Sequence, residues 1–222
     1  MKFKVSTNKE ALEETSGSSY IAKSGIYDVT IKFASLDVAN SGAESVNFNL
    51  DYNGNDQTIY GPYVTNKDGN TNEIGAKLIN KLAVIAGMDD GDDFAIEEES
   101  HIVGKDKKEQ EFAVITNFSD LPIKIHLQEE YSNYGGEIRK RMVIKNFFRA
   151  EDGASADEIV NGGTTGERLT ATQEKYASNI TYKDGLTAED VQAWKDSKAS
   201  SGSSTPKPKS TPAKKPSGSP FK

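Results

Sequence analysis

Polar and apolar residues alternate along most of residues 25–149, and this period of two restricts the fold more than any other feature. In GIYDVTIKFASL (25–36), for example, Tyr27, Val29, Ile31 and Phe33 fall on one face of a strand. The other five such segments are ESVNFNLDY (44–52), QTIYGPYVT (57–65), EFAVITNF (111–118), PIKIHLQEEY (122–131) and GEIRKRMVIKNFFR (136–149). Asn-Gly and Gly-Gly turns between neighbouring segments predict hairpins. The six segments together predict a mainly β fold.

The period changes once, in TNEIGAKLINKLAVIAGM (71–88), where the apolar residues follow helical spacing. The residues at this spacing are Ile74, Leu78, Leu82 and Ile85. They predict a core-facing helix with Thr71 or Asn72 as its N-cap. One helix after the third of six strands is typical of a small antiparallel barrel of the oligonucleotide-binding (OB) type. A β-sandwich shows the same alternation and stays open as the alternative fold.

Composition divides the chain into four regions. Residues 1–20 form an N-terminal arm, and residues 21–160 form the OB-like barrel. Residues 161–197 form a partly helical extension, in which Thr187 and Asp190 fit a capping box. Residues 198–222 are mostly Ser, Pro and Lys and contain no acidic residue. This tail has too few apolar residues to offset the entropy of ordering, so we predict that it is disordered.

Several classes of site are disfavoured by composition. The chain has no cysteine and only two histidines, which argues against thiolate zinc sites and histidine-rich metal sites. The acidic stretch DDGDDFAIEEES (89–100) lacks the spacing of a calcium loop, and no phosphate-binding or nucleophile-elbow motif is present. We therefore expect a protein without catalytic activity, metal or cofactor. A metal-dependent nuclease or recombination accessory enzyme that uses the acidic clusters is the weaker rival hypothesis.

No long apolar run and no signal-peptide pattern is present, which predicts a cytoplasmic protein that does not enter a membrane.

The segment at 136–149 is basic although the whole chain has a net charge of −7. It contains five basic residues and one acidic residue. Strict alternation places Ile138, Met142, Ile144 and Phe148 on the core face, and it places Arg139, Arg141, Lys145, Phe147 and Arg149 on the outer face. Cations beside an exposed aromatic ring suit single-stranded nucleic acid, because the cations contact phosphates and the ring stacks on a base.

Other residues are predicted to extend this site. Lys124 and His126 lie across the hairpin from the basic segment, and Lys32 projects from the first strand. The candidate stacking residues are Tyr60, Tyr63, Tyr131 and Tyr134. Gly61-Pro62 interrupts regular strand pairing and is expected to expose the two tyrosines beside it.

The order of these elements resembles that of the single-stranded DNA-binding proteins of tailed bacteriophages. The resemblance covers roughly residues 20–160 and includes the turn-and-helix segment EDGASADEI (151–159) after the last strand. It implies an OB-fold that coats single-stranded DNA, with little sequence preference, during phage replication and recombination. In a phage-encoded protein this activity takes place in the host cytoplasm.

The C-terminal end departs from that family. Single-stranded DNA-binding proteins commonly end in an acidic tail with a Pro-Phe-like tip that docks on replication or recombination proteins. Here Pro220 and Phe221 are present, but the surrounding tail is basic. Its lysines are equally suited to contact DNA phosphates. The alternative function is a non-enzymatic phage structural or scaffold protein with a disordered tail, which leaves the one-sided basic strand unexplained.

Overall fold

The computed structural model describes residues 20–104 and 106–201. The strands in these residues are β1 (Gly25–Val38), β2 (Glu44–Tyr52), β3 (Asn55–Ile59), β4 (Ile96–Val103), β5 (Lys108–Ile115), β6 (Leu121–Tyr134), β7 (Glu137–Arg149) and β8 (Ile180–Tyr182). The helices are α1 (Glu73–Ile85), α2 (Ala156–Asn161), α3 (Glu167–Lys175) and α4 (Ala188–Ser201), with a 3-10 helix at Thr116–Phe118. The predicted mainly β class is confirmed. The predicted partner-docking residues Pro220 and Phe221 lie outside the described residues, as does most of the basic tail.

All eight strands belong to one sheet that is antiparallel except where β8 runs parallel to β6. The long strand β1 lies in the middle of the sheet and pairs with three other strands. One edge of β1 pairs with β2, while its other edge pairs first with β6 and then, at Ser35 and Leu36, with β5. β6 continues into the β6–β7 hairpin. Within the described residues the sheet does not close, since β3 pairs only with β2 and β7 pairs only with β6.

Both predicted glycine turns join antiparallel strands. Asn53 and Gly54 connect β2 to β3, and Gly135 and Gly136 connect β6 to β7. All four residues have positive φ, between 52° and 85°. A two-residue turn of this kind matches the right-handed twist of the flanking strands, and asparagine and glycine adopt it at low cost. The β6–β7 hairpin is therefore specified by local sequence.

The main core lies between the inner face of the sheet and α1. It includes Ile31, Phe48, Leu50, Leu82 and Ile125. Asn72 is the N-cap of α1, because its side-chain oxygen accepts a hydrogen bond from Gly75 N at 3.3 Å. Ile74, in contrast, is exposed. The buried stripe of α1 runs through Gly75, Ile79 and Leu82 instead, so the expected packing of Ile74 is wrong.

The structure contains two strands that the sequence pattern does not predict. β4 begins within the acidic stretch, where the alternation assigns no strand, and it pairs with β5 along its whole length. β4 is an edge strand, so Glu97, Glu98 and Glu99 remain accessible to water and no apolar alternation is required. β8 is only three residues long. The predicted third strand also ends early, at Ile59, where the Gly61-Pro62 segment begins.

The C-terminal extension packs against the end of β6. Tyr131 is fully buried, with the Tyr182 ring stacked at 6.0 Å and the Trp194 ring edge-on at 6.2 Å. The predicted capping box before α4 is present, since Asp190 N donates to Thr187 Oγ1 and Thr187 N donates to Asp190 Oδ2. Short C-terminal helices are thus confirmed. No helix within residues 20–104 and 106–201 is long and apolar enough to cross a membrane.

Candidate nucleic-acid interface

A cleft of about 400 Å³ lies at the open seam of the sheet, between β3 and β7. One wall consists of β3 and the segment that follows it, and the other consists of the middle of β7. The first wall carries Gln57, Thr58, Tyr60 and Tyr63, and the second carries Lys140 and Arg141; Asp37, Ser45 and Asn47 also line the cleft. The cleft therefore brings aromatic rings and cations to the same place.

The N-terminal segment crosses one end of the seam. Gln57 on β3 forms two hydrogen bonds with the backbone of Ile21, at 2.8 and 2.9 Å. On the opposite wall, the ammonium group of Lys140 donates a hydrogen bond to the carbonyl oxygen of Ala22. Ile21 itself is buried in the core. These contacts connect β3 to β7 where strand pairing is absent among the described residues.

Tyr60 and Tyr63 lie on a rigid segment at the surface. Tyr60 is 78% exposed and Tyr63 is 48% exposed. The backbone between them is bonded to β2: Val46 N donates to Pro62 O at 3.1 Å, and Gly61 N donates to the Asn47 side chain at 3.2 Å. Since hydrogen bonds to β2 fix this backbone, both rings are held in an accessible position.

Two glycines allow this segment to lie so close to its neighbours. A Cβ atom at Gly61 would be 1.7 Å from the carbonyl oxygen of Val46 on β2. A Cβ atom at Gly75, on α1, would be 1.9 Å from the carbonyl oxygen of Tyr63. Only glycine tolerates such close backbone approach. The segment is therefore clamped between β2 and α1, and we name residues 60–63 the tyrosine platform.

The two cations of the cleft are paired with adjacent buried carboxylates on β6. Lys140 Nζ lies 2.9 Å from Glu129 Oε2, and Arg141 Nε donates to Glu130 Oε1 at 2.7 Å. Lys183, beside β8, also contacts Glu130, at 3.0 Å. Lys140 and Arg141 are thus positioned by ion pairs, and much of their charge is already neutralised.

The carboxylates of these pairs stay ionised over a wide pH range. Burial by itself raises the pKa of Glu129, but hydrogen bonds from Lys140 and Tyr131 more than compensate and lower it. Burial acts in the same direction on Glu130, whose pKa is nevertheless lowered by Lys183 and Arg141. The ion pairs therefore persist at neutral pH, where both acids are charged.

Arg139 and Tyr134 form a second aromatic and cationic pair at the end of the β6–β7 hairpin. The guanidinium carbon of Arg139 lies 4.5 Å from the centre of the Tyr134 ring. Its nearest described acid is Glu137, at 4.0 Å. Both side chains are exposed, and Arg139 is two residues along the strand from Arg141. These residues extend the chemistry of the cleft toward the hairpin tip.

The predicted outward position of Phe147 is wrong. Its ring is fully buried in the core and lies 5.7 Å from the Phe48 ring. His126 pairs with Asn146 and Leu127 pairs with Ile144, so Lys145 between them has no partner on β6. This β-bulge reverses the alternation for the rest of β7. Phe148 is buried as well, on the other face of the sheet.

Two further predicted contacts are also buried. Tyr131 packs under Tyr182 and Trp194, and His126 lies on the outer face of β6 with a hydrogen bond to the backbone of Tyr176. Alternation alone assigns His126 to the solvent face, whereas Tyr131 has the parity of the buried Ile123, Ile125 and Leu127. Neither side chain is accessible to a nucleic acid in this structure.

The remaining predicted cations lie away from the cleft. Lys32 pairs with Asp56 at 3.0 Å, Lys124 pairs with Asp28, and Arg149 forms two hydrogen bonds with Asp152. Arg149 lowers the pKa of Asp152 to about 2. Lys145 is exposed on the bulge and makes no ion pair with any described residue. These residues do not join the tyrosines in one site.

The sequence pattern does not predict Lys140, Gln57 or Thr58 as site residues. Lys140 has the same parity as Ile138 and Met142, which assigns it to the core face. At the open seam that face meets the cleft, so a cation is tolerated there. Within the described residues, no three histidine or carboxylate side chains converge as a metal site requires.

A scan against protein-family models finds no match to this sequence, and a search of curated proteins finds no significant relative.

Proposed function

We propose that this protein binds single-stranded DNA in the cleft between β3 and β7, with little sequence preference and without catalysis or a cofactor. One observation carries the proposal: a backbone clamped between β2 and α1 presents Tyr60 and Tyr63 to solvent opposite Lys140 and Arg141. Exposed rings stack on any base, and nearby cations contact the phosphates. Rigid presentation lowers the entropy lost on binding.

The fold is proposed to be an open OB barrel. The support lies in the strand order: β1 pairs with both β2 and β6, α1 follows the β2–β3 hairpin, and the β6–β7 hairpin ends the core sheet. The β4–β5 hairpin is then an insertion before β6. Single-stranded nucleic acid binds many OB folds across one face of the barrel. A cytoplasmic role in phage replication or recombination rests on the sequence resemblance.

The test is a titration of a fluorescent oligo(dT) with the full chain at low salt, monitored by anisotropy. We expect Tyr60→Ala and Tyr63→Ala each to weaken binding by about 1–3 kcal/mol, roughly 5- to 150-fold in Kd. Tyr176→Ala is the matched control, because Tyr176 is 53% exposed and lies outside the cleft. Unfolding curves of each variant verify that the fold is intact.

Two results contradict the proposal in different ways. If the wild-type protein does not bind oligo(dT) at low salt, the function is wrong, and a structural or scaffold role becomes the better hypothesis. If it binds and both cleft variants bind as tightly as Tyr176→Ala, the site is wrong. Arg141→Glu is a poor probe, since it places a second carboxylate beside the buried Glu130.

A further inference from the structure

We propose that the strand-binding track continues past Tyr63 into a second cleft, so that Tyr63 separates two nucleotide subsites. This inference rests on the proposed function. The second cleft has a volume of about 340 Å³ and lies beside the N-terminal end of α1. Tyr63 contributes to the lining of both clefts. A half-exposed ring that borders two cavities is placed to contact a base on either side.

The second cleft is formed by a turn that is anchored to β2. Thr65 and Thr71 form an isolated antiparallel bridge, and within the turn Asn66 N donates to Asn70 O at 2.7 Å. Thr65 Oγ1 donates to the Glu44 carboxylate and accepts from Glu44 N, both at 3.0 Å. These bonds fix the turn at the start of β2. The cleft is therefore a formed feature of the fold, continuous with the tyrosine platform.

The polar groups of the second cleft suit a nucleotide. Lys67 is exposed and makes no ion pair with a described residue, so its full charge is available to a phosphate. Asn66 and Asn72 also line the cleft, and side-chain amides donate and accept hydrogen bonds, although the Asn72 oxygen already accepts one from Gly75 N. Asp68 lines it as well, but it forms no ion pair with Lys67. The predicted occupant is one nucleotide whose phosphate contacts Lys67, rather than a free polyanion.

The cations of the two clefts differ in an important respect. Lys140 and Arg141 in the first cleft are held by buried carboxylates. Lys67 in the second cleft has no such partner among the residues that the structure describes. A phosphate that reaches Lys67 does not compete with an internal acid. The gain in affinity from the second subsite is therefore electrostatic and depends on strand length.

The experiment compares oligo(dT) of increasing length, from about 4 to about 16 nucleotides, which spans the usual site sizes of one OB fold. The variant is Lys67→Glu, and the matched control is Lys77→Glu, an equal charge change on an exposed residue of α1 that lines neither cleft. We expect Lys67→Glu to weaken binding of the longer oligomers roughly three- to tenfold at low salt and to leave the shortest unchanged. Lys77→Glu should bind all lengths like the wild type.

The possible outcomes separate this inference from the proposed function. If Lys67→Glu has no effect at any length, or if both variants lose affinity equally, the second subsite does not exist, although the first cleft can still bind DNA. If the loss is the same for the shortest and longest oligomers, Lys67 does not belong to a separate subsite. If the wild type binds no oligomer, both proposals fail together.

Discussion

Lys145 determines which side chains of β7 face the core. Ile144 and Asn146 pair with neighbouring residues of β6, and Lys145 between them has no partner there. After Lys145 the alternation of buried and exposed side chains reverses. Phe147 consequently joins the core beside Phe48, and the basic segment loses the aromatic ring that strict alternation assigns to its outer face. A shift of one residue reverses the face of every later side chain in a strand. The sequence contains no glycine or proline at this bulge to indicate it.

The burial of Phe147 has a measurable consequence. Phe147→Ala should lower the free energy of unfolding by about 3–5 kcal/mol, because it removes a ring from a packed core. Tyr60→Ala, which truncates an exposed ring, should change it by only about 0.5 kcal/mol. Denaturant unfolding measures both. A Phe147→Ala variant that is as stable as the wild type, yet binds oligo(dT) weakly, would instead support an outward ring.

His126 should make stability depend on pH. Burial lowers its pKa below the ordinary 6.5, and Lys145 adds to the effect although the hydrogen bond to the Tyr176 backbone opposes it. The folded state therefore prefers the neutral ring. The contribution of the neutral His126 ring to the free energy of unfolding is fully present above pH 6.5, and it is lost as the pH falls through the lowered pKa of the folded state.

Melting temperature measured from neutral to mildly acidic pH tests this effect. We expect the Tm of the wild type to fall below about pH 6.5 and the Tm of His126→Gln to fall less over the same range. His101→Gln is the control, because His101 is the only other histidine in the chain. If His126→Gln and the wild type show parallel pH profiles, a different group is responsible.

At the scale of elements, the tyrosine platform depends on α1 as much as on β2. Gly75 lies in the first turn of α1 and faces the carbonyl oxygen of Tyr63. Replacing glycine by alanine within a helix ordinarily stabilises a protein by about 1 kcal/mol. Here the added Cβ would lie 1.9 Å from that oxygen, so the helix or the platform must move.

Gly75→Ala should therefore destabilise the protein, by about 1–3 kcal/mol, against the direction that helix propensity predicts. Asn80→Ala, on the exposed side of the same helix, should be neutral or slightly stabilising. Thermal or denaturant unfolding shows whether Gly75→Ala raises or lowers the stability of the protein. An increase in stability for Gly75→Ala would mean that the platform is not clamped.

At the scale of the whole molecule, the proposed binding site is less cationic than the sequence suggests. The full chain has a net charge of −7, and most cations of the predicted site form ion pairs with acids. The cations at and beside the first cleft are Arg139, Lys140 and Arg141. Stacking on the tyrosines should therefore contribute more to affinity, and phosphate contacts less, than the basic segment implies.

The salt dependence of binding measures this balance. For about three phosphates neutralised at the first cleft, the slope of log Kobs against log salt should be about −2 for single-stranded DNA too short to reach Lys67. Deleting residues 202–222 removes five lysines and tests whether the tail contributes. We expect the slope to stay the same in the deletion variant. A wild-type slope much steeper than −2 that becomes shallower on deletion would assign phosphate contacts to the tail.

The sequence determined the features that depend on neighbouring residues. Alternation and glycine turns predict most of the core strands, both hairpins, the N-cap of α1 at Asn72 and the capping box at Thr187. Gly61-Pro62 likewise predicts the exposure of Tyr60 and Tyr63. These features follow from backbone geometry and side-chain period, which act over a few residues.

The tertiary structure decided which of these residues meet. It placed Phe147 in the core through the bulge at Lys145, covered His126 and Tyr131 with the C-terminal extension, and paired the cations of β7 with acids on β6. It also brought Lys140 to the tyrosine platform, across a seam between strands about 80 residues apart in the chain. Contacts between distant segments depend on register and packing, because local alternation carries no information about what covers a face or where a sheet stays open.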